Sequence, residues 1–376
     1  MTTEAAASVT ANRVVTKNQD LTPRQRVEIA LRGGHSDVIP FTMYDHMVPQ
    51  CAKERELRNR GLCIVERKKP PFKTYYPNIK ITESIHWENG TKMVERFYET
   101  PIKTLTVTYQ DHGWTKWYEG KMFKSPEDYE AMRFFVNDAC FEPNYEFFAE
   151  EQSRGGEDII YRARIPLEPI QTLMSGVMMD INDFCIQWVD NNDEIIKLHD
   201  CIAEMNRKIY PIIADSPALI CNYGGNVTPE FYGPEVFEQY YVPHYNEAAG
   251  VLHKKGKLIG CHFDANCGII KDLIAKTDLD YIEAFTPAPD TDMTLTEARE
   301  TWPDKVLWLN FPSSMHLRPL EEIEEMTLSL CNELDSVDGI IMGITEDIPM
   351  EFWQASCTMI MDNLDRHARE NPEMYG

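Results

Sequence analysis

The chain has 376 residues, 43% hydrophobic and 26% charged, which excludes collagen-like, low-complexity and wholly disordered classes. Acidic residues outnumber basic ones 61 to 37, and the resulting net charge of −24 disfavours nucleic acid and anionic lipid as partners. No apolar run approaches the roughly 20 residues of a membrane helix, the opening MTTEAAASVTANRVV lacks a basic-then-apolar pattern, and the ten cysteines form no CxxC pair; a reduced, cytoplasmic protein without membrane contact is expected.

Residues 1–20 are polar and aperiodic and are expected to form a flexible tail. A helix then begins with Thr22 as N-cap, Pro23 at its first position and Gln25 completing a capping box. Val27, Ala30 and Leu31 supply its apolar stripe, and Gly33-Gly34 stops it. Asp37 to Phe41 reads as a short buried strand. Residues 52–74 are locally basic and read as a solvated helix and loop. Residues 78–120 read as antiparallel β: Asn89-Gly90 is a type I′ hairpin signal between ITESIHWE and TKMVERFYE. Leu105, Val107 and Tyr109 alternate there with Thr104, Thr106 and Thr108. This hairpin segment is expected to be an insertion.

From Ser125 onward strands and helices alternate. Strands are expected at 159–165, 218–223, 257–264, 279–285, 306–311 and 339–344, and helices at 193–213, 234–254, 269–274, 320–334 and 350–369. So many units argue an α/β fold, a (β/α)8 TIM barrel spanning 21–376 as one domain, with an open doubly wound sheet as the alternative. Neither GxGxxG nor GxxxxGK[ST] occurs, so no phosphate-cradling loop is expected.

In a barrel, chemistry gathers where strands end. The run Cys261-His262-Phe263-Asp264 crowds ligand types at one such end; strand alternation puts His262 and Asp264 on one face and Cys261 on the other. Cys221-Asn222-Tyr223 ends another strand, and Gly224-Gly225 permits close backbone approach. Glu283 follows Tyr281-Ile282, and Glu346 follows an apolar run; a carboxylate in such a place is costly unless paired or metal-bound. The plain readings are a core histidine, a buried thiol and a helix cap. The sharper one is zinc, which accepts all these ligand types and keeps an open position in catalytic sites. A Cys221–His262 nucleophilic pair is a rival.

The segments LTPRQRVEIALRGGHSDVIPF, GPEVFEQYYVPHYNEA, CHFDANCG, EAFTPAPDTDMTLTEARETWPDKVLWLNFPSS and ITED resemble the uroporphyrinogen decarboxylase superfamily over nearly the whole chain from Leu21. The resemblance implies a barrel with its pocket at the strand C-termini. The superfamily's decarboxylases grip a polycarboxylate with arginines in an N-terminal loop. The matching stretch here, Phe41 to Met47, has none, and an acidic, aromatic pocket is expected, which argues against decarboxylation. The corrinoid-linked methyltransferases of the superfamily bind zinc with a His-x-Cys pair and a later Cys. His262-Phe263-Asp264 and Glu346 stand at about those places, implying a harder zinc suited to an oxygen substrate.

The chain is also similar to the ether-cleaving methyltransferase components of anaerobic O-demethylases of the veratrol type, associated with a D-x27-C-x39-C zinc motif; Asp193, Cys221 and Cys261 stand at that spacing. Spacing thus implies Asp193, Cys221 and Cys261, while strand alternation gives Cys221, His262, Asp264 and Glu346, and only Cys221 belongs to both. The implied activity is zinc-dependent cleavage of a small aryl methyl ether, with the methyl group passing to Co(I) of a separate corrinoid protein. His262, Glu346 and Glu283 would be its catalytic groups, and Tyr44, Tyr223, Phe285 and Asn222 would surround the substrate. The alternatives are a related methyltransferase for a thiol, amine or halide donor, or a non-catalytic metal-binding barrel. A homo-oligomer is compatible with the sequence.

Overall fold

Eight short strands, most of them buried on both faces, close into a ring in the computed structural model, which describes residues 21–113 and 115–375. The expected tail, residues 1–20, lies outside the described residues. In chain order the strands are β1 (Phe41–Tyr44), β2 (Cys63–Glu66), β3 (Phe72–Tyr75), β4 (Lys80–Glu88), β5 (Thr91–Glu99), β6 (Thr104–Asp111), β7 (Lys116–Gly120), β8 (Cys140–Pro143), β9 (Ile159–Ile165), β10 (Ile220–Tyr223), β11 (Leu258–His262), β12 (Tyr281–Phe285), β13 (Val306–Asn310) and β14 (Ile340–Ile344). Strands β1, β2 and β9 to β14 pair in parallel around the circle, β14 returning to β1. This is the expected (β/α)8 TIM barrel.

The barrel interior is layered. The helix Pro23–Leu31, with its Thr22–Gln25 capping box formed, plugs the N-terminal end by packing Val27, Ala30 and Leu31 against Ile160, Ile220, Val306 and Ile341. Above this apolar floor sit the rings of Tyr281 and Trp308, 6.0 Å apart. A Cβ on Gly260 would lie 2.2 Å from the Tyr281 ring, so glycine is required there by volume. The Trp308 indole N–H donates to Thr42 Oγ1 at 2.9 Å, which satisfies a donor that would otherwise be stranded in the core. The layer above is charged and forms the floor of the site.

The excursion between β2 and β9 leaves from the C-terminal rim. Strands β4 to β7 form an antiparallel meander, and β3 pairs with β8 beside it. Asn89 and Gly90 have φ of 50° and 84°, as a type I′ turn requires. On β6, Leu105, Val107 and Tyr109 are buried and the threonines between them are not. The buried face rests on the helix Tyr129–Asn137, where Phe135 meets Tyr98 edge-on at 5.0 Å. Backbone bonds from Met122 and Phe123 to Val177 and Met178 tie the excursion to the segment after β9.

Several sequence expectations shift. Residues 52–74 contain a barrel strand, because the apolar triplet Cys63-Ile64-Val65 is buried in spite of its charged flanks. Strand β1 starts at Phe41 rather than Asp37. The helices expected at 193–213 and 234–254 are each two: Asn192–Arg207 with Tyr210–Asp215, and Pro229–Tyr240 with Val242–Leu252. Pro211 and Pro243 sit in the first turn of each second helix, where a missing N–H is tolerated but helix continuity is not. No helix among the described residues is long and apolar enough to cross a membrane.

Candidate functional site

His262 is the last residue of β11 and stands in register with Glu283 on β12. Both point into the barrel. The Nδ1 of His262 lies 2.9 Å from Glu283 Oε2 and 3.2 Å from the Tyr44 hydroxyl, which also donates to Glu283. Asn222 Nδ2 donates to Glu283 at 3.0 Å, and Arg162 Nη1 lies 2.6 Å from Glu283 on the other side. Tyr281 in turn donates to Asn222 Oδ1 at 2.6 Å, linking this layer to the aromatic one below. Glu283 is 0% exposed, yet its carboxyl is held far below the usual carboxylate range. Burial opposes the charge, but Arg162, His262 and the Tyr44 hydrogen bond outweigh it.

With Nδ1 held by a carboxylate, the ring presents Nε2 outward. That atom lies 3.4 Å from Asp264 Oδ2 and 3.5 Å from Glu346 Oε1, and the three ligand atoms all lie within 4.8 Å of one another. Asp264 follows β11 and Glu346 follows β14, so two strand ends converge. Burial works against charging His262, but the surrounding acidic groups of Tyr44, Glu283 and Asp264 prevail and raise its pKa well above the ordinary value. A nitrogen and two carboxylate oxygens, spaced too widely for good hydrogen bonds to each other, fit a divalent cation. Glu283 is then the outer carboxylate that fixes the ring's tautomer.

Behind His262 runs the Gly224-Gly225 turn. A Cβ on Gly225, at φ 140°, would lie 2.9 Å from His262 Cβ; one on Gly224, at φ 59°, would lie 2.0 Å from Glu168 Oε2. Fully buried Glu168 accepts from Tyr245 at 2.5 Å and from the Gly225 N–H at 3.4 Å, and burial pushes its pKa up to about 7. It holds the turn against the histidine. Sequence reading passed over this residue.

Above the cluster opens a cavity of about 710 Å³ at the C-terminal mouth, with Asn222, Gly224 and His262 in its floor. Its walls carry Arg67, Lys68, Arg162 and Arg164. The expected acidic, aromatic pocket is therefore a basic one, and the charge argument against carboxylate substrates falls. Arg162 and Arg164 escaped the sequence reading, although two arginines at alternate positions of the otherwise apolar IIYRARI mark a shared polar face.

The remaining expected site residues divide. His262, Asp264 and Glu346 come together, with Tyr44, Asn222 and Glu283 beneath or beside them. Cys221 does not join them: Asn222 turns inward, so Cys221 turns outward into the helix-facing core, where burial pushes its thiol up to about 12. That also removes the Cys221–His262 nucleophilic pair. Cys261 faces away from His262 toward Tyr245 and Glu168, at 3.5 and 3.4 Å. Asp193 is exposed in the first turn of the helix Asn192–Arg207, away from the His262 cluster. Tyr223 points outward and bonds Tyr210 and Asn206, at 3.0 and 3.3 Å. Phe285 packs on Trp302, because the register slips at Ala284, which has φ 61°. Tyr44 contributes its hydroxyl rather than a ring face, since Arg67 covers that ring at 3.3 Å.

No protein-family model matches the chain, and no curated protein matches it. Among solved structures, a methyltransferase from Methanosarcina mazei is similar with a TM-score of 0.56 and 11% identity, over 92% of this chain and 99% of that one. Structures of the pneumococcal virulence factor StrH and of Dispersin B are similar at TM-scores of 0.38 and 0.29, with 11% and 14% identity, over 87% and 60% of this chain and 84% and 76% of theirs. Likeness that loose carries no argument. The first shows that this chain shares the barrel fold of a methyltransferase.

Proposed function

We propose that this barrel is a zinc-dependent methyltransferase that cleaves aryl methyl ethers and passes the methyl group to the Co(I) corrinoid of a separate protein. The observation that carries the metal site is His262, whose Nε2 faces Asp264 and Glu346 while Glu283 holds its Nδ1. Those first three residues would hold the ion. Zinc there would supply withdrawal of charge from the ether oxygen, and the partner's corrinoid would accept the methyl group.

The chain's own residues do the rest. Glu283, wrapped by Arg162, Asn222 and Tyr44, keeps the imidazole in one tautomer and orientation. It touches no cavity and so acts through His262 as a positioning residue. Gly224 and Gly225 bring backbone rather than side chain to the wall, which leaves room beside the ion. The meander and the segment after β9 roof one side of the mouth and limit water. On the rim, Phe231, Ile269, Leu317 and Met350 are exposed in segments that follow barrel strands, which suits a protein partner docking over the mouth. The carbon–oxygen bond breaks with its electron pair going to oxygen, and the phenolate leaves the cavity.

Chelation followed by assay with methoxyarenes and reduced corrinoid protein tests this reading. Activity should vanish with the metal and return with added Zn²⁺; full activity in metal-free protein would remove the metal role. Preference for a thiol, amine or halide donor in the same assay would move the protein to that class, and metal binding without any turnover would make it a binding barrel.

A further inference from the structure

Strand β4 is the outer edge of the meander, and none of its nine residues is buried. Its neighbour β5 differs: Val94 and Tyr98 are 1% and 7% exposed. The register sets Ile81 opposite Tyr98, Ile85 opposite Val94 and Trp87 opposite Lys92, so the apolar side chains of β4 continue the face whose inner strands rest on the helix Tyr129–Asn137. On β4 that apolar layer runs out past its cover, and Ile81, Ile85 and Trp87 are 43%, 53% and 69% exposed. The alternate N–H and C=O groups of β4 point away from β5, where no further strand meets them among the described residues. Such an edge is commonly blunted by a proline, a bulge or short length. Strand β4 has none of these: its pairing runs unbroken from Lys80–Glu99 to Glu88–Thr91, and its one lysine stands at the first position.

We propose that β4 pairs antiparallel with β4 of a second copy of this chain, across a two-fold axis at Ser84, and joins two meanders into one continuous sheet. The strand is complementary to itself in this register. Lys80 faces Glu88 at both ends, Ile81 faces Trp87, Thr82 faces His86, and Ser84 faces its own copy. Ile81, Ile85 and Trp87 of both copies then lie together on one face of two neighbouring strands. Glu83 falls opposite Ile85, but its charge is already held by Arg96 at 2.6 Å. An axis at Glu83 would set that carboxylate against its copy, and an axis at Ile85 would carry Lys80 past the end of the facing strand. The contact is the same patch on both copies, so it closes at two. The far side of the meander serves the mouth, since Thr115, just before β7, lines the cavity. With neighbouring strands about 4.8 Å apart, β4 lies roughly 14 Å from β7, and pairing there leaves the mouth open. Nothing in this pairing depends on the reaction.

Sedimentation of the full-length protein from about 1 to 200 µM tests this, in physiological salt that screens the repulsion between two chains of net −24. A reversible monomer–dimer equilibrium should appear with its midpoint in the micromolar range, as suits an interface smaller than the standard size. Ile85→Glu, which sets a carboxylate opposite Glu83 of the other copy, and Trp87→Ser should each raise the dissociation constant about tenfold or more. Both should melt as wild type does when dilute, because these side chains are more than half exposed within one chain. Lys80→Glu or Glu88→Lys alone sets like charges opposite each other at both ends and should weaken the dimer about tenfold, and the double exchange should restore it. A short bismaleimide should join Ser84→Cys to its copy. It should not join Thr82→Cys above the wild-type background set by exposed Cys185, because that position and its copy lie four residues apart along the pair, about 14 Å. A monomer at the highest concentration, species larger than a dimer, undiminished association in Ile85→Glu and Trp87→Ser, single charge variants that associate as wild type does, or equal cross-linking of Ser84→Cys and Thr82→Cys would each overturn the proposal.

Discussion

Replacing Glu283 by Gln conserves shape and removes one charge. The carboxylate is met by Arg162 at 2.6 Å, His262 at 2.9 Å, Asn222 at 3.0 Å and the Tyr44 hydroxyl, and it is wholly buried. Gln can still accept one of these bonds, but Arg162, 7% exposed, becomes a buried cation without a counter-charge. Breaking a buried pair in this way costs about 3–5 kcal/mol. With about 2.1 cal/mol/K of unfolding entropy per residue over 376 residues, that lowers the melting temperature by about 4–6 °C. The second consequence concerns the cluster above. An amide Oε1 no longer fixes Nδ1–H firmly, and loss of such an outer partner weakens metal binding by about 10–100-fold. The assay is zinc titration against a competing chelator, read beside thermal unfolding. Since the folded carboxyl is held low, its stabilisation is present above the unfolded pKa of about 4.3 and is lost only as pH falls through the folded value. The carboxylate's own share of the deficit is therefore constant between pH 6 and 8, but Glu283 also raises the His262 pKa, and that share fades as pH climbs above the unfolded histidine value of about 6.5, so the deficit should be largest near pH 6 and shrink toward pH 8. Wild-type zinc affinity in Glu283→Gln would refute the outer-carboxylate role, and an unchanged melting temperature would refute the buried-pair account.

Cys221→Ala should leave zinc affinity unchanged and cost about 1–2 kcal/mol of stability, since the thiol packs in the helix-facing core; loss of metal would return the residue to the site. Gly225→Ala should destabilise the protein and weaken zinc binding together, because a Cβ 2.9 Å from that of His262, at φ 140°, forces the turn or the ring to move; a variant that keeps both would show the contact to be slack. Burial and the neighbouring His199 lower the His244 pKa from 6.5 to about 4. Between those values the unfolded chain binds a proton that the folded one refuses, so stability should fall by about 3 kcal/mol as pH drops through that window. His244→Gln should flatten that limb in a denaturant series run from pH 7 to 4; an equally steep limb in the variant would count against the assignment.

The barrel was legible because its strands are short apolar runs at regular intervals, a pattern that depends on burial rather than on local propensity. The insertion was legible from Asn89-Gly90, whose turn geometry only such residues adopt cheaply. The second barrel strand was not, because charges on both sides of Cys63-Ile64-Val65 dominated its composition. Within the site, alternation along one strand joined His262 to Asp264, as found, but the set drawn from it, like the set drawn from motif spacing, also held Cys221, which lies outside the cluster. Asn222 and Cys221 are adjacent on one strand, so they cannot both face the cavity; expecting both in the site set the same rule aside, and Asn222 is the one that faces inward. The same rule places Arg162 and Arg164 together on the inward face. It fails at Phe285, where the left-handed Ala284 shifts the register by one residue and turns the ring outward. Nothing local announces that bulge. Glu168 was hidden for another reason: its partners Tyr245 and Gly225 are far away in sequence and meet it only once the ring closes.

Charge is partitioned in the upper layer so that each group has one duty. The negative charge of Glu283 is met by Arg162, while His262 shares its Nδ1 with it, so that among the described residues Asp264 and Glu346 are the carboxylates that would balance a dication at Nε2. Two oxygen donors and one imidazole would neutralise such an ion formally while donating less to it than thiolates do, so it would keep more of its Lewis acidity. Two strands away, Arg162 and Arg164 of β9 join Arg67 and Lys68 in lining the cavity. The net charge of −24 repels anions in bulk, but field lines from the cations lining the cavity concentrate inside a low-dielectric mouth, where an anion would gain most. An anionic group entering the mouth would thereby be oriented before any bond changes, and that orientation would come from residues set apart from the His262 cluster.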